Sequence, residues 1–222
     1  MTAVNFGEWT PDQPSLGSGC ADALNVIPTA RGYRPLPSLS ALSNAADARL
    51  RGIFPAKQSS GTVKLFAGDG TKLYLFGVGD SDLDNVSKSG NYTLTGDEPW
   101  RFVQFGNIVI AASNSQILQS YTLGSSSLFA DVSGAPTAKY IAVVRDFVMT
   151  ANTSTSNQQV RWSGLGDSTA WAASATTQSD AQTIYGLGAI TGLVGGEFAT
   201  ILCEKGIVRG TYAGSPLVFQ FD

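Results

Sequence analysis

The feature that most constrains this chain is a strand–turn–strand pattern that returns four times along the sequence. It appears as Val63 to Phe66 and Lys72 to Phe76, Trp100 to Phe105 and Ile108 to Ala112, Lys139 to Val144 and Phe147 to Ala151, and Ala189 to Val194 and Phe198 to Cys203. The intervening turns, at positions 70, 106, 145 and 195, lie 36, 39 and 50 residues apart. That spacing is near the ~40 to 50 residues that a four-stranded propeller blade occupies. More β-rich text follows the last three hairpins, in Ile117 to Leu123, Gln159 to Ser163 and Ile207 to Tyr212, so each unit should hold three or four strands. Apolar runs without strict alternation, such as Ile108 to Ala112, suit strands covered on both faces, which radially stacked blades supply. The expected fold is all-β and β-propeller-like, with about four blade units over residues 61–222. Two sheets packed as a sandwich form the competing architecture.

Residues 1–60 read differently. Pro11, Pro14, Pro28, Pro35, Pro37 and Pro55 interrupt every short apolar run, which predicts an extended arm, since proline in a strand is confined to edges and ends. Its one helical candidate is the Ala-rich stretch Leu39 to Leu50. Only 14% of residues are charged, against 25 Gly and 9 Pro in 222, which excludes charge-laced helices and coiled coils. About four units is the low end of the usual ~4 to 8 blades, and Leu217 to Asp222 reads as a strand with no capping signal. An incomplete propeller is therefore expected, finished by further chain or by neighbouring subunits that cover its sheet edges.

The composition also narrows the chemistry. A net charge of -3 is too weak and of the wrong sign for gripping phosphates, and the absence of histidine removes the usual general base and imidazole metal sites. Cys20 and Cys203 are too far apart in sequence for a metal knuckle and are expected to be reduced, buried thiols. The start lacks a basic and then apolar leader, and no stretch approaches the ~18 apolar residues of a membrane span, so synthesis in a cytoplasm without membrane insertion is expected. Asp80, Asp82 and Asp84 alternate as at the opening of a calcium loop, but Asn85 and Asn91 stand where glycine and a bidentate Glu belong. Gly186 to Gly192 misses the dinucleotide fingerprint by one residue, and no phosphate-binding GxxxxGK[ST] occurs. No cofactor or metal is expected. Asp69, Asp146 and Glu197 sit in hairpin turns and could serve a sugar-cleaving propeller, although Asp in a turn is what backbone geometry alone favours.

The tryptophans Trp100, Trp162 and Trp171 fall at the entries and exits of the repeats and are expected to pack between blades. Trp9, Tyr33 and the adjacent Arg34 lie in the arm outside the repeats and are the candidate contacts between subunits. The runs Phe6-Gly-Glu-Trp-Thr-Pro-Asp-Gln-Pro14, Ala23-Leu-Asn-Val-Ile-Pro28, Gly32-Tyr-Arg-Pro-Leu-Pro-Ser-Leu39 and Arg161-Trp-Ser-Gly-Leu-Gly-Asp-Ser-Thr-Ala-Trp171 resemble tail proteins of tailed bacteriophages. The chain is similar over most of its length to the hub or nozzle proteins of short-tailed phages, also called packaged-DNA stabilisation proteins. The resemblance implies a non-enzymatic β-propeller of the virion that assembles as a six-membered ring below the portal and adaptor. DNA would pass through it, and tail fibres or tailspikes would dock on it. A carbohydrate-binding or carbohydrate-cleaving propeller is the alternative.

Overall fold

The computed structural model describes residues 7–12, 19–20, 22–29, 32–77 and 82–222. The chain divides into two compact units, Met1–Leu42 and Ser43–Asp222. In the first, β1 (Val26–Thr29) and β2 (Gly32–Pro35) form an antiparallel hairpin in which Ile27 faces Arg34 and Pro28 faces Tyr33. The Leu36 amide extends the hairpin by donating to the Asn25 carbonyl at 2.9 Å. Elsewhere in this unit Trp9 and Cys20 form an isolated parallel bridge.

The second unit consists of four antiparallel sheets, each of four strands that follow one another in sequence. Sheet 1 is β3 (Gly52–Lys57), β4 (Val63–Gly68), β5 (Leu73–Phe76) and β6 (Leu83–Asn85). Sheet 2 is β7 (Arg101–Phe105), β8 (Ile108–Ala112), β9 (Gln119–Thr122) and β10 (Ala130–Asp131). Sheet 3 is β11 (Ala138–Val144), β12 (Phe147–Thr153), β13 (Gln159–Trp162) and β14 (Asp180–Thr183). Sheet 4 is β15 (Ile190–Val194), β16 (Ala199–Cys203), β17 (Gly206–Gly214) and β18 (Val218–Phe221). All 18 strands among the described residues are antiparallel to their neighbours, and the protein is all-β.

Packing between sheets repeats a single rule. In a strand alternate residues point to opposite faces, so directly paired residues share a face. The face of sheet 1 that carries Phe54, Phe66, Leu73 and Leu75 packs on the face of sheet 2 that carries Phe102, Val109, Ala111 and Tyr121. The opposite face of sheet 2, with Val103, Phe105, Ile108 and Ile110, packs on Ile141 and Val148 of sheet 3. The far face of sheet 3, with Val144, Phe147, Met149 and Trp162, packs on Ile190, Ala199, Ile201 and Val208 of sheet 4. The first strands of successive sheets lie against one another, β3 with β7, β7 with β11 and β11 with β15. Three separate cores result, one in each gap. Interior strands such as β12, buried from Phe147 to Ala151, are unalternated because both their faces are covered.

Aromatic contacts and side-chain bonds fix the gaps. Phe54 stacks on Phe102 with centroids 5.9 Å apart, while Phe66 meets Tyr121 edge-on at 5.1 Å and Phe147 meets Phe219 at 5.1 Å. The Gln104 side chain acts as a surrogate strand for β3. It accepts from the Lys57 amide at 2.9 Å and donates to the Lys57 carbonyl at 2.6 Å. Between sheets 3 and 4, the Arg145 amide donates to the Gly196 carbonyl at 2.8 Å, and the Gly196 amide donates to the Val143 carbonyl at 3.0 Å.

Three expectations are corrected. The boundary near residue 60 lies instead at Leu42 and Ser43, because Gly52–Lys57 is the first strand of sheet 1 despite Pro55. β3 has a ladder partner on one side only, so the missing N–H of Pro55 is tolerated. The helix over Leu39 to Leu50 does not form. Side chains and backbone of that segment are committed to sheet 1: Asn44 Oδ1 accepts from the Leu83 amide at 2.7 Å, the Asp47 backbone amide donates to the Tyr74 hydroxyl at 3.2 Å, and the Asp47 carboxylate pairs with Lys72. Such side-chain bonding competes with helix formation. Finally, the repeat frame is shifted in the first unit. The turn near Gly70 joins the second and third strands of sheet 1, whereas those at 106, 145 and 195 join first and second strands. The equivalent turn in sheet 1 is Gln58 to Thr62, where the Gln58 amide donates to the Thr62 carbonyl at 2.8 Å.

The tightest approach between sheets is at Gly195, where a Cβ would overlap the Val143 carbonyl oxygen. Gly195→Ala should force the two turns apart and lower unfolding stability by about 1–3 kcal/mol, as read from a denaturant titration. At neighbouring Gly196, a Cβ would meet no atom, although its φ of 147° favours glycine, so only Gly195 tests the close approach itself.

Candidate interaction surfaces

In the arm, Trp9 is 60% exposed while its backbone is held by the bridge to Cys20, with the Cys20 amide donating to the Glu8 carbonyl at 2.8 Å and the Thr10 amide to the Cys20 carbonyl at 3.0 Å. Tyr33 is half-buried and Arg34 exposed, and as neighbours on β2 they point to opposite faces of the hairpin. Cys20, Asp22, Leu24, Val26, Tyr33 and Arg34 line a groove of about 410 Å³. The structure thus brings two of the three arm candidates, Tyr33 and Arg34, to one groove, to which Trp9 is tied through Cys20. Both cysteines are free thiols and half-buried, where full burial was expected; burial raises the Cys203 thiol above its ordinary pKa.

The turn acids do not form a set. Asp69 follows the second strand of sheet 1, at the opposite sheet end from a first hairpin turn such as those that carry Asp146 and Glu197. It is fully buried. Its carboxylate accepts from the Thr71 amide at 2.6 Å, the Thr71 hydroxyl at 3.1 Å, the Lys72 amide at 2.7 Å and the Tyr74 hydroxyl at 2.8 Å. Burial works to raise this carboxyl, but the bonds from Thr71, Lys72 and Tyr74 outweigh it and hold the group below the ordinary value of 3.8. Tyr74 is pushed up to about 12, by burial first, against the Asp47 amide bond and with the Asp69 carboxylate reinforcing it. Glu197 is exposed and pairs with Arg145 at 3.3 Å. These are the partners of a locked turn and a surface clasp.

Of the alternating acids, Asp80 lies outside the described residues. Asp84 and Asn85 belong to strand β6, paired with Leu75 and Tyr74, and Asn85 Oδ1 accepts from the Ser87 amide and hydroxyl at 3.0 and 2.7 Å. The second half of the motif is therefore a sheet strand and an Asx turn.

The tryptophans of the repeats are buried with their indole N–H groups satisfied by backbone carbonyls. Trp100 donates to Asp69 at 2.8 Å, Trp162 to Gln178 at 2.8 Å and Trp171 to Ser168 at 2.9 Å. The run Arg161 to Trp171 folds into a compact loop in which the Gly164 amide donates to Ala170 at 2.7 Å, Thr169 donates its amide to Asp167 at 2.8 Å, and the Arg161 guanidinium lies over the Trp171 ring.

Sequence reasoning missed the two terminal faces. The outer face of sheet 1 carries Ile53, Pro55, Val63, Leu65 and Phe76; that of sheet 4 carries Val194, Thr200, Leu202, Ile207 and Arg209. Ile53 is 60% and Ile207 68% exposed. Burial alternates along Ile207 to Thr211, unlike the continuous runs of β8 and β12, but exposed Ile207 is as apolar as buried Val208, so the sequence carried no signal for these faces.

Asp69→Ala should strand four donors and cost about 3 kcal/mol at neutral pH. Because the folded-state pKa is depressed, that contribution is present above 3.8 and is lost as pH falls through the lowered value. Chemical denaturation of both proteins from neutral to acid pH should show the gap between them narrowing only on the acid side of 3.8. A comparison of the chain with protein-family models and with curated proteins finds no match to either.

Proposed function

We propose that the chain is a structural component of a bacteriophage tail, in which its four sheets are blades of a β-propeller and the protein works as a hub or nozzle around the DNA channel. The observation that carries this reading is the tandem stacking of four sequential four-stranded meanders through both faces of each inner sheet, which supports reading the sheets as blades. The motifs of the resemblance add support, because the Arg161 to Trp171 run is a densely bonded packing element of the kind a scaffold keeps.

The charge balance suits a conduit. Few cations and a net charge of -3 leave DNA counterions in place, so phosphates gain little by stopping at the wall. Rigidity comes from three apolar cores in series, and the arm, with Trp9, Tyr33 and Arg34, contacts neighbouring subunits of a six-membered ring below the portal and adaptor. Exposed turns offer docking points for fibres or tailspikes.

Gold-labelled antibodies raised against this chain, applied to purified virions and viewed by negative stain, should decorate the tail axis next to the capsid vertex. Label confined to fibres away from the axis, or to no virion at all, overturns the reading.

A further inference from the structure

We propose that the gap between sheets 2 and 3 holds a binding site for one carboxylate-bearing sugar ring, a hexuronic acid, built around Arg161. The site is independent of the tail reading and uses none of the turn acids. Arg161 pairs with Thr150 and Ala181, and Thr150 with Ile141, so these residues share the face of sheet 3 that looks towards sheet 2. Gln159, two places along β13, shares that face too. On the β13–β14 side of the gap, Thr155, Gln159, Arg161, Trp171, Asp180 and Ala181 line a pocket of about 190 Å³.

Arg161 is held there without a counter-charge. Its Nη2 donates to the Gly134 carbonyl at 3.1 Å and to the Trp171 carbonyl, and its guanidinium carbon lies 6.0 Å from the centre of the Trp171 ring. Burial pushes the group below its ordinary pKa of 12.5, and it stays charged at neutral pH. Among the described residues no carboxylate stands within ion-pair distance of it, and its Nε and Nη1 donate to no protein acceptor. A partly desolvated cation that neutral carbonyls orient, and whose remaining N–H groups are unused, is arranged to take a carboxylate.

The rest of the lining both gives and takes hydrogen bonds. Gln159 accepts from the Thr153 hydroxyl at 2.7 Å, and its amide N–H groups have no partner among the described residues. Asp180 accepts from the Ala181 amide through Oδ1 at 2.8 Å and keeps Oδ2 as an acceptor. The Thr155 hydroxyl can do either. Sugar hydroxyls suit such a lining because each is at once donor and acceptor. Charge disfavours richer anions: one Arg and one Asp cancel, so the second charge of a phosphate, or the next acid of an acidic peptide, would meet the Asp180 carboxylate. The volume lies below the ~300 Å³ at which pockets for larger ligands begin, which suits one ring and not a chain of them.

Isothermal titration and ligand-observed NMR on the full chain test this, with glucuronate and galacturonate as probes. At least one should bind, with a dissociation constant on the order of 1 mM for so small a ligand. Glucose, which lacks the carboxylate, and acetate, which lacks the hydroxyls, should each bind at least about tenfold more weakly. Arg161→Gln should erase the preference for uronate over glucose. Asp180→Ala and Thr155→Val, both at exposed positions, should each weaken uronate about threefold without weakening acetate or changing the circular dichroism spectrum, and they decide the matter should Arg161→Gln lose its fold. The proposal is overturned if neither uronate binds, if acetate binds as well as uronate, or if uronate binding is indifferent to both exposed-site variants. Tighter binding of inorganic phosphate or of a glutamate-rich peptide than of either uronate also overturns it.

Discussion

Two-sided burial of strands is the constraint on which this structure depends. Sheets 2 and 3 are apolar on both faces, so neither could stand alone in water, and each obtains its cover from a neighbour of the same design. Phe66, Ile110 and Phe147 are fully buried for this reason, each in a different gap. The order of the chain does the rest. Successive meanders place their first strands side by side, so the gaps fill between sheets that are close in sequence and distant pairings are not needed.

Apart from the Thr137 hydroxyl, which is buried without a hydrogen-bond partner, the buried polar side chains among the described residues come with partners. Gln119, fully buried in sheet 2, donates to Asp131 at 2.6 Å and accepts from the Tyr92 hydroxyl at 3.1 Å, and Lys88 completes the cluster by pairing with Asp131 at 2.6 Å. Asp69 serves a similar end in sheet 1: its carboxylate ties the β4–β5 turn while its carbonyl holds the Trp100 indole. A buried polar atom with its bonds made selects one packing among many apolar alternatives. The cost of leaving one unmade falls on the whole gap.

Much of this was legible in the sequence. Four hairpins and the strands that follow them stood where unbroken apolar runs and Gly, Asn or Asp turns placed them, and the buried tryptophans lay where the repeats begin and end. What misled was local. Pro55 disguised β3 as arm, since a proline usually argues against a strand and only the sheet order reveals that β3 is an edge. Losing that strand shifted the first repeat by one hairpin and made Asp69 look equivalent to Asp146 and Glu197. Leu39 to Leu50 had a helix-like composition, but Asn44 and Asp47 bond to a sheet far along the chain, which no local pattern encodes. The exposed faces of sheets 1 and 4 were hidden because the sequence shows that a strand is apolar without showing what lies across from it.

The separation into three cores sets how the second unit comes apart. An inner sheet is held by two apolar gaps and an end sheet by one, so opening begins at β3–β6 or β15–β18 and moves inward one gap at a time. The innermost amides, on β8 and β12, are the last to meet solvent. A neighbour seated on either terminus would act as a cap, raising the cost of the first opening and, through it, the lifetime of every sheet behind it.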